Sequence, residues 1–216
     1  MDMDAVRAAG ASLPDTLGPL VADGGSAGHR WPTALAAEGH PRDLADAAHH
    51  VLMLHGRHPS LFDHAGMKST GSAAVWLFDS AADFAAERAF LHRLAVAAGP
   101  LPSTPGHAES EAAIVGHCHA IEMLARSDRQ GCALGAALAL ALDWAAVRAV
   151  LDAASLRFGV PVERPILPAG AAQAVALEAC ADPVRARAVS FGARQLLVQH
   201  RGLWDVLEAR AAARRV

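Results

Sequence analysis

Apolar residues recur at three- and four-residue intervals through most of this chain, the spacing that lines one face of an α-helix. No strand–helix alternation and no internal repeat interrupts that pattern, which predicts an all-α protein. Helix A is expected over about 42–65, with Pro59 placed to kink it. Residues 66–79 read as a connection holding a short extended piece at 73–78, and Ser80 with Asp83 forms a capping box that opens helix B, which Gly99 ends. Helix C is expected over 108–126. Helix D runs over 131–157 with Gly159 as its C-cap. After the proline-marked stretch 161–168 come helices at 170–181, 183–200 and 203–215, the second opened by Asp182 and Pro183 as N-cap and first helical residue. Residues 1–41 read as an irregular segment with a short helix near 4–11. Residues 42–216 then form one helical domain: an antiparallel four-helix bundle at 42–158 with additional C-terminal helices at 170–215.

Face analysis at about 100° per residue shows which polar residues interrupt the apolar stripes. On helix A the stripe holds Leu44, Ala47, Ala48, Val51, Leu54, Phe62 and Ala65, and it includes His55 and His58. His49, His64 and Asp46 fall on the opposite side and His50 on the flank, so His49 and His64 are expected to be exposed and dispensable. Glu87 lies in the centre of the stripe on helix B. Glu111, His119 and Glu122 share the stripe of Val115 and Cys118 on helix C. Asp143 interrupts the apolar face of helix D, from which Arg148 and Asp152 point away. A buried carboxylate is costly unless it is paired, hydrogen-bonded, protonated or metal-bound, so Asp143 is expected to be buried and partnered. With helices taken alternately up and down, His55, Glu87, His119 and Asp143 fall roughly 1–4 Å to one side of the midplane, and His58 and Glu122 about one turn further along.

Composition sharpens this picture. Hydrophobic residues are 53% of the chain, but alanine dominates them and aromatics are 5%, which suits closely packed helices. The longest apolar run, CALGAALALAL at 132–142, is too short to span a bilayer and reads as a buried core helix. The net charge of −3 gives no global field for nucleic acid. It is uneven: from Val184 onward seven arginines face only Asp205 and Glu208, a solvated helical face or a contact for an acidic partner. Cys118, Cys132 and Cys180 lack metal or redox spacing and read as inert core thiols of a reducing cytosol. The acidic start, MDMDAVRAAG, is unlike a secretory signal, so a cytoplasmic location without a membrane is expected. The absence of tyrosine removes a tyrosyl radical and a tyrosine acid–base group.

Three motif-like stretches carry less than their letters suggest. GGSAG at 24–28 matches a nucleophile pattern around Ser26 but lacks the strand–turn–helix setting, and reads as a glycine loop. AGMKSTG at 65–71 has no upstream glycine and no βα context. In HCH at 117–119, neighbours diverge by about 100° on a helix, so they do not share one ion easily.

A layer of histidines and carboxylates inside four helices resembles the ferritin-like carboxylate metal proteins, over residues 42–158. The resemblance is architectural. The family's Glu-x-x-His is absent; helix C has the reversed order in HAIE, and ERAFLH on helix B splits Glu87 and His92 across faces. It implies a metal-dependent oxidoreductase, with iron or manganese held by His55, Glu87, His119, Glu122 and Asp143, and with His58 as the catalytic proton shuttle or a further ligand. The alternative is a metal-free polar network, Glu87 and Asp143 pairing with His55 and His119, in a non-enzymatic helical binding or scaffold protein whose arginine-rich C-terminal helices make the contacts. A small-molecule or protein partner and homo-oligomerisation stay open under both.

Overall fold

The structure, a computed structural model, describes residues 13–162, 167 and 169–215. Its helices are α1 Leu13–Gly24, α2 Arg30–Glu38, α3 Pro41–His55, α4 Leu61–Met67, α5 Gly71–Ala98, α6 His107–Arg126, α7 Cys132–Phe158, α8 Ala169–Ala179 and α9 Pro183–Ala213. There is no strand among the described residues. The fold class is all-α.

The packing centres on α7, against which every other described helix rests. This helix is apolar on all sides, as a buried central helix should be. It has the length and hydropathy to cross a membrane, but the other helices bury 78% of its most apolar window. Its most extensive partner is α9. The two run parallel: Gly131 meets Arg185 and Val189, Gly135 meets Val189, and further along both helices Asp143 meets His200. A Cβ on Gly135 would lie 1.9 Å from the carbonyl oxygen of Val189, and one on Gly192 would lie 2.0 Å from that of Cys132. The two backbones therefore touch, and only glycine fits at either position. The helix α9 is therefore part of the core.

Several expected boundaries shift. Residues 13–38, expected to be irregular, carry α1 and α2; the helix expected near 4–11 lies outside the described residues. Helix A divides into α3 and α4 at residues 56–60. Ser60 opens α4 with a capping box to Asp63, Ser60 Oγ donating to the carboxylate at 2.6 Å. The connection and extended piece expected at 66–79 are instead mostly the first turns of α5, which starts at Gly71. Ser80 is consequently a buried mid-helix residue and caps nothing. The helices expected at 183–200 and 203–215 are one, because Gly202 continues α9 where His117 crosses it: a Cβ there would meet the His117 ring at 2.4 Å. Asp182 does cap α9, accepting from the Val184 N–H at 2.9 Å, and Gly159 closes α7 in the left-handed region.

Candidate functional site

Asp143 occupies the middle of α7, 1% exposed. Its apolar surroundings would be prohibitive for an unpaired carboxylate, and both oxygens are engaged. Oδ1 accepts the Ser26 backbone N–H at 2.8 Å. Oδ2 accepts the Ser26 hydroxyl at 2.6 Å and lies 2.6 Å from Nδ1 of His200 on α9. Burial alone would raise the Asp143 pKa; the bonds from His200 and Ser26 outweigh it and hold the carboxyl below its ordinary value.

The glycine loop between α1 and α2 supplies Ser26. A Cβ on Gly25 would lie 2.3 Å from Asp143 Oδ1, so glycine there lets the loop backbone close onto the carboxylate. Ser26 Oγ also accepts the indole N–H of Trp204 at 2.8 Å. With 0% exposure and its oxygen committed on both sides, Ser26 holds Asp143 in place and is not a nucleophile.

The chain of contacts continues from His200. Its Nε2 lies 2.9 Å from Nε2 of His55, the last residue of α3. The ionised carboxylate accepts from His200 Nδ1–H, so in the tautomer that pairs the two rings His200 Nε2 is the acceptor. His55 must then donate from Nε2, and its remaining lone pair is on Nδ1. That atom has no hydrogen-bond partner among the described residues. The ring, 6% exposed, is clasped edge-on by Phe84 and Trp144. Burial first, then the neighbouring His200, pushes the His55 pKa well below its ordinary value, so the ring is neutral near pH 7.

His55 lines a cavity of about 260 Å³. Leu54, Leu61, Phe84, Ile121 and Leu140 form its apolar wall, and Arg57, His58, His64, Cys118, Glu122 and Arg126 supply polar groups. A second hollow of about 420 Å³ shares Met53, Arg57, Cys118 and Glu122 with it and adds His92 and His119. The cavity thus lies between the C-terminal end of α3, α4 and α6, with the Asp143–His200–His55 chain behind it.

The residues expected as a metal layer do not gather. Glu87 is buried and accepts from Arg148 Nη1 at 2.8 Å and from the Trp144 indole at 3.0 Å. Arg148, expected to point away from the core, is buried with it and stacks on Phe90. Ala145, Ala149 and Leu156 do form an exposed strip on α7; Arg148 is buried because its guanidinium pairs with Glu87 on α5. His119 is exposed, and Glu122 pairs with Arg126 at 2.8 Å. The face of α6 that is buried runs through Ile114, Ile121 and Leu124, not through Val115. His58 lies past the end of α3, with its side chain 68% exposed beside Asp63. The 3.6-residue period that placed it inward stops at Gly56. His64, expected to be exposed, is half-buried in the cavity wall. Among the described residues no three histidine, cysteine, aspartate or glutamate side chains are grouped to hold an ion. The buried carboxylates Glu87 and Asp143 are spent on protein partners, and His55 is left with one free nitrogen, so this set does not fit a shared iron or manganese.

The burial of Asp46 reflects the cover that α9 gives to α3. Asp46 is buried, accepting from Arg210 Nε and Nη2 at 2.8 Å each and from Arg214 Nη1 at 2.8 Å. Asp43 takes Arg214 Nη2 at 2.7 Å. His50 is buried against the Asp46 carbonyl, and His49 is half-buried against that of Gly99. Two of the seven C-terminal arginines, Arg210 and Arg214, are therefore spent inside the molecule, while Arg215 reaches Asp43 from the surface. The thiols also differ: Cys132 is buried, Cys118 and Cys180 only partly so, and burial raises the pKa of both partly buried thiols.

Sequence reasoning placed His55 and Asp143 and missed their link, His200, together with Ser26 and Trp204. The signal for His200 was present. It sits at helical spacing with Leu196, Leu197, Leu203 and Trp204, in a stripe hidden by dividing α9 at Gly202.

The chain belongs to a family of unknown function, DUF6975, which matches residues 21–215. That span includes Ser26, His55, Asp143 and His200. No curated protein and no solved structure matches it.

Proposed function

We propose that the protein binds a small organic molecule in the cavity beside His55, and that His55 acts on it as a buried acceptor and general base. One observation carries this reading: an uncommitted, neutral imidazole nitrogen at a cavity wall, with the other nitrogen fixed by a histidine and a carboxylate. Orientation by Asp143 through His200 sets the tautomer and leaves Nδ1 available. When a bound ligand gives its proton to Nδ1, His55 becomes an imidazolium that keeps its bond to His200, and the Asp143 carboxylate behind balances the charge. The depressed basicity of His55 keeps it unprotonated and ready at neutral pH.

A fragment library followed by ¹⁵N imidazole shifts tests the proposal. Fragments that bind should move the His55 resonances, and His55→Phe should weaken binding of those that donate to the imidazole while leaving the fold intact. A library that moves no His55 signal would sink the reading. Metal analysis of wild type and His55→Ala after growth with iron and manganese tests the separate ferritin-like oxidoreductase proposal, for which the described residues offer no common donor set.

A further inference from the structure

The charge and shape of the same cavity narrow the ligand's chemistry, an inference that rests on the reading just given. Its wall is apolar around Leu54, Phe84 and Leu140 and cationic at Arg57. Glu122, the lining carboxylate, is already neutralised by Arg126 at 2.8 Å. Arg57 makes no ion pair or hydrogen bond with any described residue, and it is exposed. Its side chain borders the cavity together with His55 and Cys118. The unbalanced charge facing a ligand is therefore positive, and a guanidinium fits a carboxylate through two parallel N–H bonds.

The second requirement comes from His55. Its free Nδ1 is an acceptor in an apolar setting, and leaving it dry and unpaired is costly, so a ligand that fills the cavity should present an O–H or N–H there. Size and shape add a third. An engineered cavity of about 150 Å³ holds benzene, so about 260 Å³ takes one ring with a short arm. The α-carbons of His55 and Arg57 are at most about 7 Å apart, two residues along the chain, so both can contact one small molecule. The Phe84 ring offers an aromatic partner beside His55.

We infer that the cavity takes a small aromatic monocarboxylate bearing a hydroxyl, with its carboxylate on Arg57 and its hydroxyl on His55. The ligand's apolar ring lies against Phe84 and Leu140. The hydroxyl donates to Nδ1, and a sufficiently acidic one passes its proton there.

Three probes separate the contributions: 4-hydroxyphenylacetate, phenylacetate, which lacks the hydroxyl, and tyramine, which replaces the carboxylate with an ammonium. Titration of the full chain, read by calorimetry and by His55 shifts, should rank 4-hydroxyphenylacetate first. Loss of the hydroxyl should weaken binding about tenfold, and exchange of the carboxylate for the ammonium by more than that. Arg57→Gln, an exposed substitution that should leave the fold intact, should remove the preference over tyramine and keep the preference over phenylacetate. His55→Phe should do the reverse. Tyramine binding as well as 4-hydroxyphenylacetate would overturn the inference, as would failure of all three probes while other fragments still move His55; either result leaves the cavity reading standing. If no fragment of any kind moves His55, the cavity reading itself falls.

Discussion

His200 stands 2.6 Å from Asp143 and 2.9 Å from His55, so one α9 side chain joins the centre of α7 to the end of α3. Asp143→Ala would strand the His200 Nδ1–H and both donors of Ser26 in a dry interior. The expected loss is about 3–5 kcal/mol of unfolding free energy by urea titration. Asp143→Asn keeps an acceptor oxygen and should lose less. A wild-type denaturation midpoint for Asp143→Ala would show that the network contributes nothing to the fold.

The second buried carboxylate behaves differently because its partner is a permanent cation. Arg148 is held by both oxygens of Glu87 at 2.8 Å and by Asp152 at 2.7 Å. Glu87→Ala removes both carboxylate oxygens that hold the buried guanidinium, and should cost about 3–5 kcal/mol. The double variant Glu87→Leu, Arg148→Met should recover most of that loss. A double variant less stable than Glu87→Ala alone would contradict the account.

These two sites show what the sequence could convey. Burial of Asp143, Glu87 and His55 followed from their place in apolar stripes, since a helix with one inward face obeys its period. The partners did not follow. Arg148 looked outward because nothing in its own helix shows Glu87 of α5 within reach, and Asp46 looked exposed because nothing there shows α9 covering the back of α3. Those judgments depend on how many helices surround a given one, which periodicity along a single helix does not encode. His58 failed for a local reason: Gly56 and Pro59 end the helix whose phase was extended through them.

Glycine positions offer a paired test. Gly192→Ala drives a methyl into the Cys132 carbonyl, forces α7 and α9 apart and should cost about 1–3 kcal/mol or more in a thermal or urea melt. It should also loosen His200 from Asp143, visible as altered imidazole shifts. Gly116, exposed on α6 with open space where its Cβ would be, should accept alanine with a gain of about 0.5–1 kcal/mol. Equal effects at the two positions would mean that the backbone contact is not the cause.

Stability should also fall on mild acidification. Burial depresses the pKa of His55 and of His50 below the ordinary 6.5. Between that value and the lower folded value the unfolded chain binds more protons, so unfolding free energy rises with pH across this window and is lost as pH drops below about 6.5. Asp143, also depressed, keeps its contribution until pH falls below its unfolded value near 3.8. Midpoints measured between pH 7.5 and 5 should therefore decline. His55→Phe should flatten that decline without removing it, because His50 still titrates. A flat profile for wild type would show that neither histidine is held neutral.

The parallel pairing of α7 with α9 also sets an order of events during synthesis. The ribosome finishes α7, a long apolar helix, and makes 24 further residues before the first residue of α9. At about 5–20 residues per second, several seconds pass before its main cover is complete. Through that interval the nascent chain carries a long greasy helix that looks, to any targeting or holding factor, like a membrane segment. Chains halted before α9 are expected to lean on chaperones that shield such helices, a consequence of placing the core's last wall so late.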